Sequence, residues 1–114
     1  MKLTDKELEV MDVLWESKTP MTVSDILRVS KKRTWKENSI FVMMKRLESK
    51  KAVALDHYRA TATNNARAYA PLITFEQFVA LNIASINKAR KPKLRLNVDS
   101  FIKTFKETLQ HKED

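Results

Sequence analysis

Five side chains at helical spacing carry the most legible chemistry in the sequence: Asn38, Ser39, Val42, Lys45 and Arg46. At about 100° per residue they fall on or beside one side of a helix, with Lys36 just before it and Phe41 on its flank. Amide and hydroxyl groups can pair with base edges, cations with phosphates, and Val42 and Phe41 with thymine methyls. That mixture predicts a helix over Glu37–Lys51 that reads the DNA major groove. Ile40, Met43, Met44 and Leu47 fall on the other side as a packing seam. Plainer readings stand beside this one. Lys36, Lys45 and Arg46 could be a solvated face, Asn38 and Ser39 could be caps, and Phe41 and Val42 could pack on a neighbouring element.

The placement of charge favours the DNA reading. The 114 residues carry 22 basic and 14 acidic side chains, a formal net charge of +8. Residues 1–27 hold three basic and six acidic residues, whereas residues 28–71 hold eleven and three, so the segment around the proposed reading helix carries a net +8. Residues 72–114 carry +3. A localised cationic segment points to a polyanion, with double-stranded DNA the leading partner.

Cysteine is absent, which excludes a disulfide framework, a thiolate metal site and a cysteine nucleophile. His57 and His111 lie far apart with no ligand set between them, so neither a metal nor another cofactor is expected. With no glycine there is no glycine-rich phosphate loop, and no Ser, His and acid cluster shows a catalytic spacing. The chain is expected not to be an enzyme. The longest apolar run, Ile40–Met44, is too short to span a bilayer, and the amino terminus lacks the apolar core of a signal peptide, so a cytoplasmic, membrane-free protein is expected.

The elements that position the reading helix follow from caps and periodicity. Thr4 and Glu7 form a capping box for a first helix over Asp5–Ser17, with Leu8, Met11, Leu14 and Trp15 at helical spacing. After a Pro-containing turn over Lys18–Met21, Thr22 caps a second helix that ends near Lys31, and a cationic connection, Lys31–Lys36, leads to the third. Strands follow at Ala52–Leu55 and Arg67–Ala70, separated by a long polar loop, Asp56–Ala66, with Pro71 closing the second strand. Arg59 and Arg67 there could reach the backbone or minor groove, or belong to a mobile hairpin. In a glycine-free chain, Asn64 and Asn65 are the expected left-handed turn residues. Trp15 and the methionines are expected in the core; Trp35 could pack on the basic loop or lie near DNA. The fold class is therefore mainly α with a small β-hairpin, in the order of a winged helix-turn-helix over residues 1–72.

Residues 73–114 are expected to form a helical dimerisation region. Thr74 and Gln77 open a fourth helix with Phe75, Phe78, Val79, Ile83 and Ile86 along one stripe, and a last helix over Asp99–His111 carries Phe101, Ile102, Phe105 and Leu109. Nothing in the amino-terminal domain obviously needs these stripes, so a second copy of the chain is expected to cover them.

Three motifs carry a resemblance: LTDKELEVMDVLW at Leu3–Trp15; Ser39-Ile40 and Arg46-Leu47 with Lys50 in the third helix; and Arg67-Ala-Tyr69-Ala-Pro71 in the return strand. In order and spacing they resemble the penicillinase-repressor family of bacterial winged-helix regulators, which includes methicillin-resistance and copper-responsive members. The resemblance implies a homodimer that represses transcription from an inverted-repeat operator, and an unidentified sensor or protease that relieves repression. Lys51 and Asn64-Asn65 stand where the family commonly has glycine, and the cysteine pair of copper-responsive members is absent. Asn97-Val98 is the nearest likeness to the Asn-Phe bond cleaved in penicillinase-type members and is not read as a cleavage site. Two rival readings use the same outer face: a winged-helix adaptor for an acidic protein, and an architectural protein that binds duplex without sequence preference.

Overall fold

The computed structural model describes residues 1–113, with side chains through residue 111. Two compact units are present, Met1–Val79 and Ala80–Asp114. The described elements are α1 (Asp5–Glu16), α2 (Val23–Val29), α3 (Ile40–Ser49), β1 (Val53–Ala60), β2 (Asn65–Pro71), α4 (Phe75–Lys88) and α5 (Val98–Glu113). Three helices and an antiparallel hairpin make the first unit a winged helix.

Capping sets where the helices begin. Thr4 Oγ1 accepts from the Glu7 amide at 3.1 Å while Glu7 Oε1 accepts from the Thr4 amide at 2.9 Å. Thr22 and Asp25 repeat the arrangement at 3.1 and 3.0 Å, satisfying amide donors that a helix start leaves open. Val10, Met11 and Leu14 of α1, Ile26 of α2, and Ile40, Met43, Met44 and Leu47 of α3 join in one core. Truncating Met11 or Leu47 to Ala there costs about 2–5 kcal/mol. Trp35 is 3% exposed and belongs to that core, with the Arg33 guanidinium 5.1 Å from its ring centroid. Its indole plugs the core rather than facing a ligand. Thr34 donates through its amide and hydroxyl to the Glu9 carboxylate at 2.8 and 2.6 Å, so the basic connection is pinned to α1.

The hairpin departs from expectation. Its strands run far past the predicted limits, pairing from Val53↔Pro71 to Ala60↔Asn65 with an irregularity between Leu55 and His57, and only residues 61–64 turn. The long polar loop is mostly strand. Both faces of the outer half of β1 are exposed, so no apolar alternation marks it in the sequence. Asn64 and Asn65 are not left-handed either: among the described residues the one with positive φ is Lys51, at 61°. A four-residue loop can close without such a position, whereas the end of α3 needs one. There the Ala52 amide donates to Leu47 O at 2.9 Å and the Lys51 amide to Glu48 O at 3.0 Å, a Schellman arrangement with lysine at the position glycine favours.

A third sheet element escapes sequence reading. Met21, at the end of the predicted turn, exchanges backbone hydrogen bonds with Tyr69 at 2.9 and 2.8 Å. One residue has no periodicity, so nothing in the pattern marks it.

Candidate nucleic-acid interface

A single 3₁₀ turn, Glu37–Ser39, leads into α3 and brings Lys36 and Asn38 to its outer side. Neither Lys36 nor Ser39 makes a side-chain capping bond, so the polar groups at this start are not spent on the helix. Phe41 is 64% and Val42 51% exposed, while Lys45 and Arg46 are exposed beside them. The helix thus presents apolar, amide and cationic groups together to solvent. Phe41 also lines a cleft of about 340 Å³ with Thr22, Val23, Ser24 and the β2 residues Asn65, Ala66, Arg67 and Tyr69.

Ion pairing divides the eleven basic residues of the 28–71 segment. Five have carboxylate partners: Arg28 and Arg59 with Asp25, Arg33 with Glu37, Lys50 with Glu7, and Arg67 with Glu48. Among the described residues, Lys31, Lys32, Lys36, Lys45, Arg46 and Lys51 have no acidic partner. Those six flank or lie on α3. Lys31 and Lys32 lie in the connection before α3 and Lys51 just after it, and residue type alone does not separate them from the paired Arg33 and Lys50.

The paired set fixes the geometry of α3 and the hairpin. Lys50 Nζ donates to Glu7 Oε1 at 2.5 Å, tying the end of α3 to the start of α1. Glu7 is 1% exposed, and its Oε2 has no hydrogen-bond partner. Burial pushes its carboxyl up, but hydrogen bonds from Lys50 and the Thr4 amide outweigh that, holding it below its ordinary 4.5. Arg59 Nη1 donates to Asp25 Oδ2 at 2.6 Å and Nη2 to Pro20 O at 3.2 Å, joining β1 to α2. Burial raises the Asp25 carboxyl, and bonds from the Thr22 amide, Arg59 and Arg28 override it, lowering it from 3.8 to about 2. Arg67 Nη2 reaches Glu48 Oε2 at 3.3 Å and its guanidinium lies 5.7 Å from the Tyr69 ring, joining β2 to α3. Arg59 and Arg67, expected as candidate backbone contacts, therefore already hold internal partners.

The profile of the penicillinase repressor family matches residues 3–113, nearly the whole chain. The chain belongs to the penicillinase repressor family. Its members are DNA-binding transcriptional repressors, regulators rather than enzymes, which agrees with the winged-helix fold. The match extends through α4 and α5, beyond the stretch where motifs are legible. A comparison with individual curated proteins found no match.

The predicted dimerisation residues divide as well. In the first unit, Phe75 and Phe78 pack on Trp15 with ring centroids 5.4 and 6.2 Å away, and the Trp15 indole donates to Ile73 O at 2.8 Å. The first turn of α4 thus has a use inside the chain, because half-buried Trp15 supplies an aromatic surface that the helix pattern of α1 did not reveal. In the second unit, Ile83 and Phe101 are half-buried, Ile86, Ile102, Phe105 and Leu109 are exposed, and Phe101 stacks on Phe105 at 5.8 Å. Asn97 Oδ1 accepts from the Ser100 amide at 2.9 Å, so the Asn97-Val98 bond lies at the start of α5. Among the described residues no group of three or more His, Cys, Asp or Glu could hold a metal, and no helix is long and apolar enough to cross a membrane.

Proposed function

We propose that this repressor acts as a homodimer on an inverted-repeat operator, with the outer face of α3 in the major groove of each half-site. The observation that carries the reading is the joint exposure of Phe41 and Val42 among six cations without acidic partners. Two adjacent large apolar side chains on a cationic helix face match thymine methyls lying beside phosphates. Asn38, Ser39, Val42 and Arg46 face base edges in this reading. Lys36, Lys45 and the lysines flanking α3 neutralise phosphates, while Arg59 and Arg67 brace the hairpin and can also approach the backbone.

Pairing of two chains through the carboxy-terminal helices is supported by their unburied apolar surface. Among the described side chains of α4 none is fully buried, and Ile86, Val98, Ile102, Phe105 and Leu109 are each more than two-fifths exposed. Covering what remains exposed stabilises a dimer by about 1–2 kcal/mol per large side chain before the costs of association. Two identical heads then require half-sites related by the protein's two-fold symmetry.

Selection from random duplexes tests the reading, with enrichment of an inverted repeat as the expected outcome. Recovery of no preferred sequence would reassign the protein to an architectural role, and no duplex binding at all would leave an acidic protein as the partner. If roughly 6 to 10 phosphates are neutralised, affinity should fall about 10³ to 10⁵-fold between 50 and 200 mM salt. Replacing Phe101 and Phe105 with Ser should give a monomer by sedimentation; an unchanged profile removes α5 from the interface.

A further inference from the structure

The connection between α4 and α5 carries a second concentration of cations that the α3 site does not use. Lys88, Arg90, Lys91, Lys93 and Arg95 fall within eight residues, and no acidic residue occurs between Glu76 and Asp99. Half of the chain's net +8 resides in the second unit, whose 35 residues hold eight basic and four acidic side chains.

This connection is built rather than loose. Arg95 Nε donates to Arg90 O at 3.2 Å and Nη2 to Lys88 O at 3.3 Å, closing the carboxyl end of α4, where the helix dipole favours a cation. The Leu96 amide donates to Asn87 Oδ1 at 2.7 Å, and Pro92 opens a 3₁₀ turn, Pro92–Leu94, whose Leu94 amide donates to Lys91 O at 2.8 Å. One arginine is thus used to fold the loop back on itself. Lys88, Arg90, Lys91 and Lys93 are left exposed, with no acidic partner among the described residues. Gathered in six residues of one folded-back connection, they raise one local positive potential instead of acting as scattered surface charge.

We propose that this loop is a second DNA-backbone contact, engaging duplex phosphates independently of base sequence. The proposal rests on the operator-binding reading given above. Three of the four free cations are lysines, which act on phosphate as point charges without needing a bidentate partner. A membrane surface is the lesser fit: residues 79–100 contain no Trp, Tyr or Phe to anchor at an interface, and the loop is not an amphipathic helix.

The test uses the full chain with Lys88→Gln, Arg90→Gln, Lys91→Gln and Lys93→Gln combined, keeping Arg95 as the loop clasp. Affinity for a duplex bearing the selected operator is measured across salt concentrations for both proteins. Each phosphate that the protein no longer neutralises lowers the slope of log affinity against log salt by about 0.9, so the variant's slope should be shallower by at least about 2, with its preferred sequence unchanged. Hydroxyl-radical footprints should show weaker protection at backbone positions, with base recognition intact. An unchanged slope and footprint overturn the proposal. If the variant instead keeps its DNA slope and no longer binds phosphatidylserine vesicles, the loop is a lipid-binding element and the proposal is overturned. Circular dichroism checks folding; should the quadruple variant unfold, Lys91→Gln with Lys93→Gln, at the cap and within the 3₁₀ turn, must lower the slope by about 1 to 2. A wild-type chain that binds no duplex defeats the operator reading and this proposal together, whereas wild-type binding with an unaltered variant defeats only this one.

Discussion

Lys45 and Lys50 stand five residues apart on either side of the same helix end and are put to opposite uses. Lys45 is exposed with no acidic partner among the described residues, whereas Lys50 reaches the buried Glu7 carboxylate. The same contrast separates the outer face of α3 from the hairpin, where Arg59 and Arg67 are committed to Asp25 and Glu48. A cationic surface therefore measures affinity for a ligand only after its internal partners are removed from the count. What the paired set contributes is orientation: α1, α2 and both strands are tied to α3 or to each other by charge-assisted bonds, which are stronger than neutral ones.

Lys50→Met should have the largest effect. It leaves the buried Glu7 carboxylate without its cation, held only by the Thr4 amide, and should cost roughly 3 kcal/mol, a Tm fall on the order of 10–20 °C. Lys45→Met should change stability by less than about 0.5 kcal/mol. Equal thermal shifts in the two variants would erase the distinction between the populations.

Binding should show the mirror image. Lys45→Ala combined with Arg46→Ala should weaken operator affinity by about 10- to 100-fold, lower the salt slope by about 1 for the phosphate contact of Lys45 and relax the preferred sequence at the base that Arg46 faces, with an unaltered melting curve. Fluorescence anisotropy on labelled duplex reads both affinity and slope, and an affinity within twofold of wild type would contradict the placement of the site.

Arg59→Ala sharpens the comparison at acid pH. The Asp25 carboxyl lies lower in the folded chain, at about 2, than its ordinary 3.8, so its ionisation stabilises the fold fully above about pH 4 and that contribution disappears as pH falls toward 2. Glu7 is shifted in the same direction, so its contribution also declines below its ordinary 4.5. Removing Arg59 should make the acid limb of stability shallower between pH 4 and 2, and should cost at most about 1 kcal/mol at pH 7 because the pair is partly exposed. Urea melts from pH 2 to 7 provide the check.

The smallest effect expected is a gain. Lys51→Gly removes one unpaired cation yet relieves a left-handed backbone that disfavours a side chain, and should raise stability by about 0.5 kcal/mol. A lower Tm in that variant would mean that the Lys51 side chain makes a stabilising contribution that outweighs its φ of 61°.

Much of this architecture is legible in the sequence because it is local. The capping boxes at Thr4, Thr22 and Thr74 each join residues three apart, and the α3 seam repeats within a turn, so helix starts and buried faces can be read directly. Helix α2 nonetheless ends at Val29, short of the predicted Lys31, and the outer half of β1 has the composition of a loop because water covers both of its faces. The composition of the α3 face is legible too; which neighbouring cations remain available beside it is not.

By itself the sequence determined the helices, their apolar seams, the excess of positive charge and the chemical repertoire of α3, since each depends on spacing along one segment. Tertiary structure alone decided that Lys50, Arg59 and Arg67 are held internally, across separations of 43, 34 and 19 residues, that Met21 joins the sheet, and that Trp15 uses the start of α4. A carboxylate can claim a cation only when folding has brought the two within hydrogen-bond reach, and no local pattern of residues encodes that distance.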